Sequence, residues 1–302
     1  YTRRASTSGR VLYVDHNRGR KSYDASQAAN DVTNTLYIPG SDSADLVATG
    51  ALIPAQAFAD FSTINEAITY ATNAFPVRGE PALSSDYPYI VFIQPGVYIE
   101  DVVLKANVHL VGVGSENILP AGTPVRDVVI RTATIGHTFF ATAAADTVLL
   151  KNVQLENTAA NTFDVISHAA ASTTFGGTLI LDNSHVLQQN VAAVGNAIVL
   201  GNGSASTSLY LMNSTVRDLS GEGAAHFAVE IDGTAGTLSL SESQITASLS
   251  SVLSVNPSAA ATTYLANLDN THLQAESAGG VGIQTLASTT EIARSFIEVV
   301  TA

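Results

Sequence analysis

Alternating apolar and polar residues recur in six segments between Thr147 and Ile297, each built as a strand, a two-residue bend and a second strand. They read VLLKNVQL ending at Leu155, LILDNSHV at Val186, LYLMNSTV at Val216, LSLSESQI at Ile245, ANLDNTHL at Leu273 and EIARSFI at Ile297, in steps of 31, 30, 29, 28 and 24 residues. Side chains on a strand point to opposite faces with period two. One inward column therefore runs Leu150, Leu181, Leu211, Leu240, Leu268, Ile292, and a second runs Leu155, Val186, Val216, Ile245, Leu273, Ile297. Between them lies a column of mostly small residues, Val153, Ser184, Ser214, Ser243, Thr271, Ser295. At the bend Asn152, Asn183, Asn213 and Asn270 recur, the residue type that tolerates the left-handed region, with Glu242 and Arg294 interrupting the series. A third strand precedes each pair: TFDVI, NAIVL, FAVEI, SVLSV, VGIQT. Like residues in register at this period predict a coil of parallel strands, three to a turn, with about eight turns.

Ahead of the repeats the pattern changes once. FADFSTINEAITYATNAF places Phe61, Ile64, Ala67, Ile68 and Ala71 at helical spacing, with Thr63 as N-cap and Glu66 at the capping-box position. One short amphipathic helix is expected there. VLYVD at residues 11–15 reads as a strand, and residues 23–60 as irregular covering structure. The domain reading is a basic arm over residues 1–22, a cover over 23–60 and the coil over 61–302.

The resemblance follows from FSTINEAITYAT as an end-capping helix, IVFIQPGVYIEDVVL as a first turn and VHLVGVGS as its close. These segments, followed by the repeats, resemble the pectin-lyase-like right-handed parallel β-helix superfamily, from Phe61 to the C-terminus. The resemblance implies an all-β, right-handed parallel β-helix with a short N-terminal capping helix. It does not imply one activity, because the same opening occurs in lyases, hydrolases, esterases and viral spikes. The Gly-x-Tyr-x-Glu of Gly96, Tyr98 and Glu100 is similar to pectin methylesterases, without their later active-site motifs. In PGVYIED, Val97 and Ile99 are expected to build the first rung, leaving Tyr98 and Glu100 outward and Asp101 at a corner, so that the stretch serves as scaffold. YVDH at residues 13–16 looks like the Trp-x-Asp-His of calcium-dependent pectate lyases but precedes the coil. Gly136–His137 matches one dipeptide of the polygalacturonase set and nothing else.

Composition narrows the chemistry. The chain has 302 residues, 46% of them hydrophobic, and no cysteine, which excludes disulfides and thiolate metal sites. No stretch reaches the roughly 18 uninterrupted apolar residues of a membrane helix. Net charge is −13, unevenly spread. Arg3, Arg4, Arg10, Arg18, Arg20 and Lys21 against the single acid Asp15 give the first 22 residues +5, so the remainder carries −18. An acidic body repels phosphate, so nucleic acid is not an expected partner along the coil, nor is a membrane. The arm is expected to anchor to another surface, ordered only against its partner.

Candidate acids are few. Asp164, Val199, Glu230, Ser254 and Gln284 are expected as one outward column of the third strand, with Asp164 and Glu230 two turns and roughly 10 Å apart, at the far edge of an inverting pair. His185 and His272 are expected as surface residues three turns apart, too far to share a metal. No metal and no cofactor are predicted. Leu149, Ile180 and Tyr210 form an outward apolar stripe, the candidate contact between subunits. Two readings stand. One is a non-enzymatic virion-surface protein, similar to trimeric phage tailspike-like and capsid decoration proteins, homotrimeric and held to a capsid or other virion protein by the arm. The other is a secreted polysaccharide lyase or glycoside hydrolase, with carbohydrate as ligand.

Overall fold

The computed structural model describes residues 10–15, 61–73, 82–118, 124–141, 146–160, 162–168, 176–190, 195–201, 206–220, 227–233, 235–248, 251–257, 264–276, 282–285 and 288–299. Within them the chain is all-β apart from one helix, α1 (Ile64–Asn73), and its strands form three stacked parallel sheets of nine, eight and seven strands. In spatial order the first sheet holds Val11–Val14, Tyr89–Ile93, Val108–Gly112, Thr147–Lys151, Gly177–Asp182, Thr207–Met212, Gly236–Ser241, Tyr264–Asp269 and Ser288–Ala293. The second holds Gly96–Ile99, Val128–Arg131, Gln154–Asn157, His185–Gln188, Thr215–Asp218, Gln244–Ala247, His272–Ala275 and Phe296–Val299. The third holds Val103–Lys105, His137–Phe140, Ile166–His168, Ile198–Leu200, Phe227–Gly233, Ser251–Pro257 and Ile283–Thr285. The chain visits the sheets in rotation, the connectivity a parallel β-helix requires.

Both inward columns are present in register. Leu150, Leu181, Leu211, Leu240 and Leu268 are buried, and so are Leu155, Val186, Val216, Ile245 and Leu273. Each buried Leu, Val or Ile contributes about 1.5–3 kcal/mol relative to exposure. The last members, Ile292 and Ile297, are 50% and 39% exposed, since among the described residues no further rung lies on them.

The small column turns out to be a hydrogen-bond ladder. Ser184 Oγ accepts Val153 N–H (3.3 Å), Ser214 Oγ accepts Ser184 N–H (3.1 Å), and Ser243 Oγ accepts Ser214 N–H (3.2 Å). The hydroxyls meet carbonyl oxygens in turn, Ser184 Oγ lying 3.1 Å from Leu150 O and Ser214 Oγ 3.1 Å from Leu181 O. A buried corner leaves backbone groups that must be paired, and a short hydroxyl pairs them without taking core volume. At the bend beside it, Asn152, Asn183, Asn213 and Asn270 have φ of 54, 51, 46 and 50°. Their amides chain together, Asn183 Nδ2 donating to Asn152 Oδ1 (2.7 Å) and Asn213 Nδ2 to Asn183 Oδ1 (2.9 Å). Glu242 and Arg294 keep the same backbone at φ 50 and 49°, so the series changes in residue type and not in geometry. Arg294 makes a two-point bond to Asp269 (2.9 and 2.6 Å).

Helix α1 buries the face its spacing predicts: Ile64, Ala67, Ile68 and Ala71, with Phe61 just ahead. It packs on Val11–Val14, Tyr89–Ile93 and Val103–Lys105, covering the first-turn end of the core. Val11–Val14 is the edge strand of the first sheet, paired with Tyr89–Ile93, and Leu12 and Val14 are buried. Arg10 leads into it, its guanidinium bonding the Tyr87 carbonyl and lying 5.1 Å from the Tyr89 ring centroid, within cation–π range. Residues 10–15 thus belong to the body, whereas the arm reading had them ordered only against a partner.

One face is the reverse of expectation. Tyr98 is 1% exposed, while Val97 and Ile99 are 44% and 64% exposed. Register decides this: Tyr98 pairs with Ile130, and Ile130 with Leu155, so Tyr98 begins the second inward column. Its hydroxyl donates to Gln94 O (2.9 Å), which makes burial tolerable.

Candidate functional site

The two carboxylates of PGVYIED act on the scaffold. Glu100 accepts the first free N–H groups of α1, from Ile64 (2.8 Å) and Asn65 (2.9 Å), placing negative charge at the positive end of the helix dipole. Thr63 Oγ1 accepts Glu66 N–H (3.3 Å), completing the cap. Asn65 ties the same corner from the other side, donating to Asp101 O (2.9 Å) and accepting Val103 N–H (3.1 Å). Asp101 fills a cradle made by the loop before His137–Phe140. It accepts N–H from Ala133 (2.8 Å), Thr134 (2.8 Å), Ile135 (3.1 Å) and Gly136 (3.2 Å), and the Thr134 hydroxyl (2.7 Å). Burial alone would raise its pKa, but the Thr134 hydroxyl and the backbone donors together hold it below the ordinary aspartate value. Gly136, at φ 85°, closes the loop where a Cβ would stand 2.2 Å from Asp164 O. Asp101→Asn is expected to lower stability by about 2 kcal/mol, the cost of weakening several charge-assisted bonds. A thermal melt unchanged from the parent chain would show the cradle to be dispensable.

The other concentration of charge lies on the outer face of the second sheet, under an antiparallel hairpin formed by Glu116–Ile118 and Pro124–Arg126. The hairpin is an insertion between Val108–Gly112 and Val128–Arg131. Its base is tied by Ser115 N–H donating to Asp127 Oδ2 (2.8 Å) and Asp127 N–H to Ser115 O (3.2 Å). Arg126 is buried and reaches Glu116 (2.7 Å) and the side-chain Oδ1 of Asn183, while its backbone N–H donates to Gln154 Oε1 (3.3 Å). Gln154 Nε2 donates to Glu156 Oε2 (2.7 Å), which also accepts from Gln189 Nε2 (2.9 Å). Arg131 holds the other oxygen of Glu156 through Nε and Nη2, both at 2.7 Å. With its oxygens so occupied, Glu156 is a structural anchor.

His185 sits in this cluster at 3% exposure, where a surface residue was expected. It and His272 do share a column, through Thr215 and Gln244, and His272 is half-buried. The difference comes from the hairpin, which covers the outer face at His185 and not at His272. Burial, with a smaller push from the Arg126 guanidinium, holds the His185 pKa at about 4. Three further histidines bind the scaffold by accepting backbone N–H groups through Nδ1. His109 takes Leu149 (3.1 Å), His137 takes Val102 (3.1 Å) and His168 takes Gly201 (2.9 Å). Among the described residues no group of three His, Asp, Glu or Cys side chains is placed to hold a metal ion.

Asp164 is not in the column assigned to it. Ser167 pairs with Val199, and Val199 with Glu230, so Ser167, three residues further on, takes the place expected for Asp164. Asp164 precedes its strand and accepts Asn196 N–H (2.9 Å), while Asn196 Nδ2 lies 3.4 Å from Glu230 Oε2. One asparagine therefore stands between the two carboxylates and bonds to both.

Leu149, Ile180 and Tyr210 are half-buried, and register makes Leu149–Ile180–Tyr210 one outward stripe. It extends through His109 and Ile90 to Val11, with Tyr13 stacked on Phe92 at 5.6 Å in the neighbouring column. Beyond Tyr210 the stripe turns polar, at Ser239 and Asn267. Of the arm cations, Arg10 is described above; Arg3, Arg4, Arg18, Arg20 and Lys21, like the cover over 23–60, lie outside the described residues. No helix among the described residues is long and apolar enough to cross a membrane. Compared with known proteins, the sequence matches no family model, no curated protein and no solved structure.

Proposed function

We propose that the chain is a non-enzymatic structural protein of a virion surface: a right-handed parallel β-helix of about eight turns, homotrimeric, acting as capsid decoration or a short spike and attached by its basic arm. The observation that carries the non-enzymatic part is the use to which the acids are put. Glu100 caps α1, Asp101 fills a loop cradle, Glu156 is held by Arg131, Gln154 and Gln189, and Asp164 and Glu230 both bond Asn196. A general acid or nucleophile needs an oxygen aimed at substrate, and these are aimed at the fold. The polarity of the outward stripe supports a parallel homotrimer, because three coils side by side about an axis along their length place apolar rungs against apolar rungs. The virion placement rests on the resemblance to tailspike-like proteins and on the contrast between basic arm and acidic body.

A second reading, a secreted polysaccharide lyase or glycoside hydrolase, draws on Asp164 and Glu230 flanking Asn196. The test pairs two measurements on the full chain. Incubation with pectate or polygalacturonate, with and without calcium, should release no product, and light scattering should give a trimer that Ile180→Arg with Tyr210→Arg converts to a folded monomer. Cleavage that disappears in Asp164→Asn or Glu230→Gln would establish the second reading. A trimer indifferent to both arginines would remove the stripe as interface.

A further inference from the structure

We infer that acid separates the subunits at the outward stripe of the first sheet, with His109 as the group that takes the proton. This rests on the trimer reading above and adds its regulation. His109 stands half-buried in the stripe, with Ile90 as its register partner on one side and Leu149 bonded to it on the other. The ring is also part of the sheet. Val108–Gly112 and Thr147–Lys151 pair at only two positions, Leu110 with Leu150 and Val111 with Lys151, whereas the strand pairs on either side of them run to five. Ahead of those two positions, side chains serve as the acceptors. Asn107 Oδ1 accepts Thr147 N–H (3.3 Å), and His109 Nδ1 accepts Leu149 N–H (3.1 Å).

With Nδ1 so engaged, the neutral ring carries its proton on Nε2. A second proton must go to Nδ1, where it displaces the Leu149 N–H and leaves that donor without its acceptor in the middle of the stripe. It also sets a positive charge between Ile90 and Leu149, on the surface that a facing subunit has to cover.

The charged groups on the elements around the ring leave that charge in place. On Thr147–Lys151, Lys151 is held by Asp182, and Asp146, just ahead of the strand, takes Asn107 Nδ2 (3.4 Å). Arg10, at the start of the edge strand, lies over the Tyr89 ring, and Lys105 ends Val103–Lys105 on the same turn. Helix α1, which also touches Val108–Gly112, brings Glu66 in its first turn. Burial holds the His109 pKa below the ordinary histidine value. A facing subunit buries the ring further, so the assembled value is the lower one and the separated value the higher. The contact therefore keeps its full strength above pH about 6.5 and loses it as the pH falls below. Each of three rings takes up one proton on separation, so the dissociation constant rises by up to about a thousandfold per pH unit.

Light scattering and circular dichroism of the full chain at pH 7.5, 6.0 and 5.0 test this. The parent chain should be trimeric at pH 7.5 and give folded monomer by pH 5.0. His109→Asn, whose Oδ1 stands where Nδ1 was and takes no proton, should stay trimeric throughout. A parent trimer unchanged at pH 5.0, or a variant that separates as the parent does, overturns the proposal. A parent chain already monomeric at pH 7.5 removes the trimer itself, and the release with it. Should His109→Asn not fold, histidine NMR decides. By reciprocity the ring must titrate at lower pH in the parent trimer than in the monomer made by Ile180→Arg with Tyr210→Arg, and equal titration removes His109 as the sensor.

Discussion

Val216→Asp is expected to prevent folding. Val216 has no exposed surface and sits between Val186 and Ile245 in the second inward column, with rungs on both sides. A carboxylate there can reach neither solvent nor a cation, so it must stay ionised in an apolar stack or take up a proton at neutral pH, and both cost free energy. A penalty of about 5 kcal/mol or more matches the net stability of many whole domains. The cost should also spread, because each turn is stabilised mainly by its neighbours and a broken rung leaves two new ends. Circular dichroism and soluble yield of the variant beside the parent chain are the measurements. A cooperative melt at the parental temperature would show that Val216 does not face inward.

The second large effect is expected from acid. His137 is fully buried, with Nδ1 accepting Val102 N–H and Nε2 3.3 Å from Ile130 O, so it is held neutral with its proton on Nε2. Burial pushes its pKa down to about 4, against smaller upward pulls from the Ile130 carbonyl and Asp101. In the unfolded chain the ring titrates near 6.5. Its folded value being the lower one, the neutral ring contributes its full stability above pH 6.5, and that share disappears as pH falls to about 4. The loss is about 3 kcal/mol for this residue. His168, also held at about 4 by burial, acts in the same direction. Denaturant titrations at pH 7.5, 5.5 and 4.0 should show stability flat near neutrality and falling steadily below. A curve level from 7.5 to 4.0 would mean that these rings are not buried as described.

The Val11–Val14 strand alters what a truncation means. Deleting residues 1–22 as an arm would remove an edge strand carrying buried Leu12 and Val14 and strip the outer pairing from Tyr89–Ile93. An arm function is better probed by ending the deletion before Arg10. The six cations among residues 1–22 read as an arm, and VLYV among them as a strand. Only its pairing with Tyr89–Ile93 shows that this strand belongs to the first sheet.

What the sequence determined by itself was whatever repeats or is local. Period-two alternation at a step of 24–31 residues put Leu150 to Leu268 and Leu155 to Leu273 into their columns, because stacking rungs in register is the one way to bury all of them together. Helical spacing located α1, and the recurrent asparagines marked the left-handed bends, since both signals arise within a few residues of chain. Tertiary structure decided the rest. Alternation says that neighbours face opposite ways but not which way, so where Val97, Tyr98 and Ile99 are all apolar enough to bury, pairing with Val128–Arg131 chose Tyr98. In TFDVI the adjacent Val165 and Ile166 are both apolar enough to face inward, so alternation could not fix the register, and only the pairing of Ile166 with Ile198 set Asp164 ahead of its strand and beside Asn196. His185 was buried by a hairpin inserted about 60 residues earlier, and a cover that distant leaves no mark on the strand beneath it.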